Sequence, residues 1–565
     1  MKFINYINLL SVFLVSGLGI AQSFEWGGRF GGIGEDVVRA MHVDHEGNSY
    51  TTGYFSDIAD FDIDPEVEYL LTSNGFFDVF VQKNDTQGNL LWALNIGGEF
   101  FEYAVGITTD HLGNIYVTGV YEGIVDFDPG IGEFFLTSTG GLDIFILKLN
   151  ESGGFEWAKS IGGVGYEEST SIAIDSTGKI VVLGYFYDPA DFDPGVGDYT
   201  LISNGSADVF ILQLDENGEF ISANQFGGSD LDLGLDMKMG VQDDLFITGS
   251  FAGTADLDPR DLEEYWVTSS GQFSGFLIHL SNAGELLQVF YTDGGETISN
   301  SITADVLGNS YLSGYFSGIV DFNPTSGNSD FVFTADVSYN GYIMKIDPSG
   351  NVLWVRQMGG ESPFFSFDLA LDSNGNLLST GYFDGTVDFD PSPTVEYFLT
   401  KESANAMDAF LLKLSNDGNF ESAFQFGGAD FIDTHRIGVD GADNIYLSAH
   451  FQLEIDINPE PGNSELVVAE DLRDNYLIKV SSGILGTPIF NKRDLAFYPN
   501  PAKSVVFILS NENIVGLDFS IFNVLGQQLK TGFLSNDKSI DIEDLKSGIY
   551  FIKIGTNNSI KLIKE

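Results

Sequence analysis

Seven Gly-Gly pairs punctuate the chain at an almost fixed interval. Their first glycines are Gly31, Gly97, Gly162, Gly227, Gly294, Gly359 and Gly427, at steps of 66, 65, 65, 67, 65 and 68 residues. A period of that length means an array of supersecondary units, each too small to bury its own apolar face and so obliged to stack on the next. Within the unit from Gly97 to Gly163 the periodicity is that of strands. Ala104 to Asp110 is apolar and β-branched, His111-Leu112-Gly113-Asn114 turns the chain, and Ile115 to Tyr121 runs extended. Asp143 to Leu149 and Phe155 to Ile161 follow as third and fourth strands, with a turn at Asn150 to Gly153 between them. Short runs of Val, Ile, Phe and Tyr between Gly/Asn/Asp turns are β-meanders. No segment of useful length sustains a helical period.

Four strands in each of seven repeats predict an all-β fold, a seven-bladed β-propeller. The ends of the array predict how it closes. Trp stands five residues before Gly-Gly at Trp92, Trp157 and Trp354, in fourth strands, and again at Trp26, ahead of the first full repeat. The last repeat, from Gly427, runs into Ser481-Ser482-Gly483 after three strands. The strand around Phe24 to Phe30 is therefore expected to supply the outer strand of the last blade, which leaves no open sheet edge. The propeller is expected over residues 22–480.

Composition narrows the chemistry. The 565 residues are 43% hydrophobic and include 49 Phe, enough to fill layers between stacked sheets. Cysteine is absent, so disulfide scaffolding, thiolate catalysis and Cys-ligated metals are excluded. The net charge is −57. Phosphate recognition needs Lys and Arg, so no nucleic-acid partner is expected. The charge has two readings, solubility in a saline setting and divalent cation binding.

The two ends of the chain read differently. Residues 1–21 form an expected signal peptide: Lys2 gives the charge, Leu9 to Ile20 the apolar run, and Gly19-Ile20-Ala21 the small residues before cleavage at Gln22. No later segment is apolar enough to predict a transmembrane span. Ser481 to Asp494 breaks the repeat and reads as a linker. From Leu495 to Glu565 a separate small β-domain is expected, with strands such as Val505 to Leu509, Phe519 to Asn523 and Ile549 to Ile554. Residues 496–565 hold seven Lys and seven acidic residues, so the whole negative balance lies elsewhere.

On one face of the propeller, the turns between strands one and two are tight hairpins such as Asp44-His45-Glu46-Gly47-Asn48. Their Asp residues read as turn formers. The other face carries the long loops between strands two and three. Each contains Asp-Φ-Asp/Asn: Asp60-Phe61-Asp62, Asp126-Phe127-Asp128, Asp191-Phe192-Asp193, Asp256-Leu257-Asp258, Asp321-Phe322-Asn323, Asp388-Phe389-Asp390 and Asp456-Ile457-Asn458. Period two puts both acids on one side and the apolar residue on the other, packed between blades. Each loop returns to a second polar residue at the start of strand three: Asp78, Asp143, Asp208, Asn340, Asp408 or Asp474, with Ser274 in the fourth repeat. Acids that follow the Gly-Gly pairs, including Glu35, Asp36, Glu167, Glu168, Asp230 and Asp232, reach the same face.

Two readings of these acids stand open. Asp before Pro commonly caps a turn through its own backbone. Alternatively, Ca²⁺ takes six to eight oxygens and a converging loop supplies several. The candidate ligands are Asp60, Asp62, Asp78, Asp126, Asp128, Asp143, Asp191, Asp193, Asp208, Asp388, Asp390 and Asp408. The six His are scattered, and no triad, phosphate loop, zinc motif or sialidase-type Asp box is visible. No catalytic residue is therefore nominated.

Two family resemblances are carried by motifs. Tyr498-Pro499-Asn500-Pro501-Ala502, Ile521-Phe522-Asn523-Val524-Leu525-Gly526-Gln527, Leu545-Lys546-Ser547-Gly548-Ile549-Tyr550-Phe551 and the closing Lys561-Leu562-Ile563-Lys564-Glu565 resemble the type A sorting domain of the type IX secretion system of Bacteroidetes. That resemblance implies a small β-sandwich, partnership with the secretion machinery through residues 495–565, and release or anchoring at the outer surface. The repeats resemble SBBP-type β-propeller repeats of secreted bacterial proteins, through the order Gly-Tyr-Phe, Asp-Phe-Asp-Pro, Asp-x-Phe, Lys, Trp-Ala, Gly-Gly. That likeness implies the fold and is nearly silent on activity. The expectation is an extracellular or surface binding module for a glycan or protein, using the acidic loop face. The alternative is a polysaccharide hydrolase or lyase on the same scaffold.

Overall fold

In the computed structural model the described residues are 24–481, apart from 261–262, 327–330, 361, 404–406, 429–431 and 459–462, and 496–564, apart from 499–501, 510–516, 524–526, 536–537 and 555–558. The expected signal peptide and, beyond Ser481, the linker lie outside them. The chain divides into two compact units, Met1–Gly486 and Thr487–Glu565.

The first unit is built of seven four-stranded antiparallel sheets, here blades 1 to 7. Blade 2 is typical: Glu102–Thr109, Ile115–Tyr121, Asp143–Leu149 and Phe155–Gly163 pair in that order. In blade 7, Ile432–Val439, Ile445–Phe451 and Asp474–Val480 are completed by Phe24–Ile33, in register from Phe24 opposite Val480 to Phe30 opposite Asn475. The strands' apolar residues face both neighbours, and the core is a set of layers between adjacent blades. The layer between blades 7 and 1 joins Phe30 and Leu477 to Val38, Phe55, Phe61 and Phe80. The Φ residue of each Asp-Φ-Asp/Asn motif is fully buried in these layers, from Phe61 to Ile457.

The long loops are more ordered than a loop reading suggests. Each begins and ends in a short strand pair, such as Ile58–Asp60 with Leu70–Thr72. That hairpin docks on the outer strand of the preceding blade: Gly31 pairs Asp60, Gly97 pairs Asp126, Gly162 pairs Asp191, Gly227 pairs Asp256 and Gly359 pairs Asp388. In blade 5 the hairpin simply continues the main strands, Ser310–Asp321 and Val332–Ile346. These hairpins clasp each blade to the one before it.

At five of the pairs a carboxylate occupies the space a side chain on the first glycine would take, while at Gly359 the Asn340 amide and at Gly294 the Ile319 carbonyl stand there. A Cβ on Gly162 would stand 2.3 Å from Cγ of Asp143, and one on Gly97 would stand 2.1 Å from Cγ of Asp78. Both Asp side chains are buried and held by backbone donors, so neither can step aside cheaply. Gly162→Ala is expected to cost about 1–3 kcal/mol and to lower the melting temperature by a few degrees. Scanning calorimetry of that variant checks it, and melting at the parent temperature would mean the carboxylate is not fixed.

The short-turn face is a repeated structural device. Asp44, Asp110, Asp305, Asp372 and Asp440 each bind the backbone N–H and the amide of an Asn four residues on. The strand-three lysines Lys83, Lys148, Lys345 and Lys479 lie over Tyr50, Tyr116, Tyr311 and Tyr446. In blade 4 His279 takes the lysine's place, with Nε2 2.6 Å from Asp244 Oδ2.

The second unit has a three-stranded sheet (Ala496–Tyr498, Val505–Leu509, Ser539–Asp541) and a four-stranded sheet (Gln528–Phe533, Asp518–Asn523, Gly548–Ile554, Ser559–Lys564). Val506 and Ile540 from the first share a core with Ile521, Ile552 and Leu562 from the second, which makes a small sandwich.

Candidate functional site

The Asp-Φ-Asp/Asn acids act locally on their own loops. Oδ1 of Asp60 accepts the backbone N–H of Asp62 at 3.1 Å and of Tyr69 at 2.8 Å. Asp126, Asp191 and Asp388 do the same for Asp128 and Phe134, Asp193 and Tyr199, and Asp390 and Tyr397. Asp62, Asp128, Asp193 and Asp390 accept the N–H two residues further on. The apolar neighbour anchors the motif between blades, and the two acids fasten the turn. Among the described residues no group of three or more His, Asp or Glu side chains gathers as a metal cage would.

The strand-three acids are placed differently. Asp78, Asp143, Asp208, Asp408 and Asp474 are each at most 1% exposed. Their carboxylates accept N–H groups of the returning loop, from Asn74, Thr139, Asn204, Glu402 and Glu470. In four junctions a second buried acid enters from the next blade: Glu102 beside Asp78, Glu167 beside Asp143, Asp232 beside Asp208 and Asp36 beside Asp474. That acid accepts the N–H of the second glycine of the pair, at Gly98, Gly163, Gly228 and Gly32. Burial, with the neighbouring carboxylate behind it, pushes Glu102 up to about 8 and Glu167 and Asp232 up to about 7. Burial, working against their hydrogen bonds, takes Asp143 and Asp408 to about 6.

A second feature surrounds the propeller axis. Every first strand carries a β-bulge at the same level, at Arg39, Val105, Thr170, Leu235, Asn300, Phe367 and between Asp433 and Arg436. Bulges re-aim side chains, and here residues at or beside them line a channel cavity of ≈ 160 Å³ with Asp236, Ser301, Asp368 and Arg436. Ser301 Oγ lies 3.0 Å from an oxygen of Asp236 and 3.2 Å from one of Asp368, placed to donate to either. Burial, and then Asp368, pushes Asp236 up to about 6.

Above this floor, toward the long-loop face, stands a belt of tyrosines. Tyr103, Glu168 and Phe365 precede the channel residues Val105, Thr170 and Phe367 by two, which puts them on the same side, one step nearer the mouth. Tyr166 and Tyr185 donate to one oxygen of Glu168 at 3.0 and 2.6 Å, and Tyr103 Oη lies 3.2 Å from Tyr166 Oη. The guanidinium of Arg39 lies over the rings of Tyr103 and Tyr54, 4.9 and 5.5 Å from their centroids. Across the mouth Tyr315, Tyr339, Phe365, Phe367 and Tyr382 form a second ring cluster, with Tyr339 donating to Glu296 at 3.0 Å. Burial raises Tyr103, Tyr185 and Tyr315 above the ordinary phenol value, so these hydroxyls remain donors. The sequence holds a signal for this belt. The residue between Gly and Phe in strand two is Tyr54, Tyr185, Tyr315 and Tyr382 in four blades, whereas Val120 and Ser250 stand after that Gly in two others.

The C-terminal unit can be placed by comparison. Residues 496–565 match the model of the secretion system C-terminal sorting domain. This segment is a sorting domain. The chain it carries is therefore exported to the cell surface or beyond. Over 96% of its length the chain is similar, at 22% identity, to a WD repeat-containing protein, L264, of Acanthamoeba polyphaga mimivirus, and it spans 44% of that relative. Two solved structures of the extracellular domain of BT4673 from B. thetaiotaomicron, one described as a hybrid two component system and the other as a one component system, overlap the chain loosely. The first has a TM-score of 0.16 at 10% identity, covering 94% of this chain and 86% of that one. The second has a TM-score of 0.15 at 12% identity, covering 96% and 98%. Overlaps that loose say nothing more of this protein. Among the described residues no helix is long and apolar enough to cross a membrane.

Proposed function

We propose that the chain is a secreted or cell-surface binding module of the SBBP-type propeller kind, which seats an extracellular glycan or protein at the channel mouth on its long-loop face. The leader at residues 1–21 delivers it to the periplasm, and the sorting domain hands it to the type IX machinery. The belt of half-buried tyrosines around the mouth carries this reading. Ring faces offer apolar contact at low entropic cost, and hydroxyls and the carboxylates of Glu168 and Glu296 offer hydrogen bonds beside them. Sugars present that same alternation of C–H faces and hydroxyls. The reading is of a binder rather than a catalyst. Glu168 serves two tyrosines through a single oxygen, and the repeated loop acids are occupied in fastening their own turns.

A polysaccharide and protein array probed with the parent chain and with Tyr103→Ala/Tyr382→Ala tests this, with a product assay run in parallel. The parent should bind at least one class of target. The double variant should lose about tenfold in affinity, on the order of 0.5–1.5 kcal/mol for each ring. A parent that binds nothing, or a mouth variant that binds as well as the parent, would rule the site out. Turnover of a polysaccharide would replace binding with catalysis.

A further inference from the structure

The paired acids between blades are the most unusual chemistry in the protein, because they are buried, alike in charge and incompletely satisfied. Glu102, Glu167 and Asp232 are at most 1% exposed, and each directs one oxygen at no hydrogen-bond donor among the described residues: Oε1, Oε1 and Oδ1. In the blade 2–3 junction Oδ1 of Asp143 is likewise reached by no donor among the described residues. At the blade 3–4 junction, Asp232 Oδ2 and Asp208 Oδ1 lie 2.7 and 3.1 Å from the same point, the position a Cβ of Gly227 would take. A buried ionised pair without a positive partner is strongly unfavourable.

The remaining four junctions are built differently. Between blades 7 and 1 the pair Asp36 and Asp474 has its own cation, the guanidinium of Arg29 bonded to Asp474. Between blades 4 and 5, and 5 and 6, both acids are gone together: the positions are Ser274 with Thr297 and Asn340 with Phe364. Between blades 6 and 7 Asp408 stands without a second acid, its place taken by Ile432, and between blades 7 and 1 Arg29 marks the place where a positive charge belongs.

We infer that the pairs Asp143/Glu167, Asp78/Glu102 and Asp208/Asp232 each hold a Ca²⁺ ion between neighbouring blades. Two carboxylates neutralise the ion, and the oxygens that no donor reaches, on Glu102, Glu167, Asp232 and Asp143, are ligands of the hard type it takes. The rest of its shell falls to main-chain carbonyls and water, as is usual for this cation. The site differs from the loop motif: Asp60, Asp126 and Asp191 fasten turns outside it. It does not depend on what binds at the mouth.

The test uses the whole secreted chain, stripped with EDTA and held in 0.3 M NaCl to screen the acidic surface. Calcium binding is followed by titration calorimetry and melting by scanning calorimetry. Calcium should fill about three sites of one class and raise the melting temperature by on the order of 5–10 °C. Glu167→Gln should remove one site. In EDTA this variant should melt no lower than the parent, because one buried charge is gone, and in calcium the parent should overtake it. That reversal separates a lost ligand from a damaged fold. Two results would overturn the inference: no change in melting between calcium and EDTA, or a calcium stoichiometry unaltered in Glu102→Gln/Glu167→Gln/Asp232→Asn, which would leave only surface ions.

Discussion

A chain that starts at residue 34, without Phe24–Ile33, should not fold to a stable monomer. The lost strand supplies the outer ladder of blade 7 and the fully buried Phe30, which packs 5.9 Å from Phe80 and 6.1 Å from Phe61. It also supplies Trp26, whose Nε1 donates to the carbonyl of Thr86 in blade 1. Truncating one buried Phe to Ala already costs about 3–5 kcal/mol. Losing the ladder and the dock for the Ile58–Asp60 hairpin as well should exceed the roughly 5–15 kcal/mol that a domain usually has. The bared strand Asp474–Val480 would then be an open edge, so oligomers are the expected product. Size-exclusion chromatography and calorimetry check this. A truncated chain that melts cooperatively within a few degrees of the parent would show that the ring does not rely on this closure. Phe30→Ala is the milder version and should lower the melting temperature without abolishing folding.

The second large effect is on pH. In EDTA the melting temperature should rise as pH falls from about 8 to about 5. Glu102, Glu167 and Asp232, at about 8, 7 and 7, stand above the 4.5, 4.5 and 3.8 of ordinary carboxyls. Across that window the folded state therefore binds protons that the unfolded chain does not, and stability grows as pH falls through the folded values. The full gain is reached below the unfolded values. Groups held low by hydrogen bonds, such as Asp110, Asp175 and Asp372, act in the opposite sense. Their contribution is present above about pH 4 and is lost only as pH drops below it. Each tenfold change in a carboxyl's proton affinity on folding is worth about 1.4 kcal/mol, so the three raised acids together should change stability by several kcal/mol. Glu102→Gln/Glu167→Gln should flatten the curve and melt higher than the parent at pH 8. A parent curve that is flat between pH 8 and 5 would mean these carboxylates are better solvated than their burial indicates.

The wheel is legible in the sequence because its signals repeat. The Gly-Gly interval, the Trp five residues before it, and the Phe of Asp-Phe-Asp each recur, and each has a packing reason that repeats with it. Trp26 points to Phe24–Phe30 as an outer strand, and that is where the ladder to Asp474–Val480 lies. The loop face is harder to read. Asp60 and Asp78 share a loop and look like partners. Asp60 spends its carboxylate on backbone N–H groups, while Asp78 meets Glu102, which comes from the next repeat. A neighbour across a blade junction is invisible to spacing within one repeat. The tyrosine belt is hidden for a different reason. Tyr54, Tyr185, Tyr315 and Tyr382 sit at a strand-two position that varies between blades, so a search for the repeat passes over them. Asp236, Asp368 and Arg436 stand singly in their strands and meet only around the axis.

The placing of Asp474–Val480 inside its sheet has a mechanical consequence for a protein whose export signal lies at its C-terminal end. This strand lies between Ile445–Phe451 and Phe24–Ile33, hydrogen-bonded on both sides. A pull applied beyond Val480 runs along both ladders at once and loads their hydrogen bonds together in shear. A strand at a free margin would meet the same pull with one ladder only. The last segment of the wheel is thus held from two sides, at the point where drag on a tethered molecule would arrive.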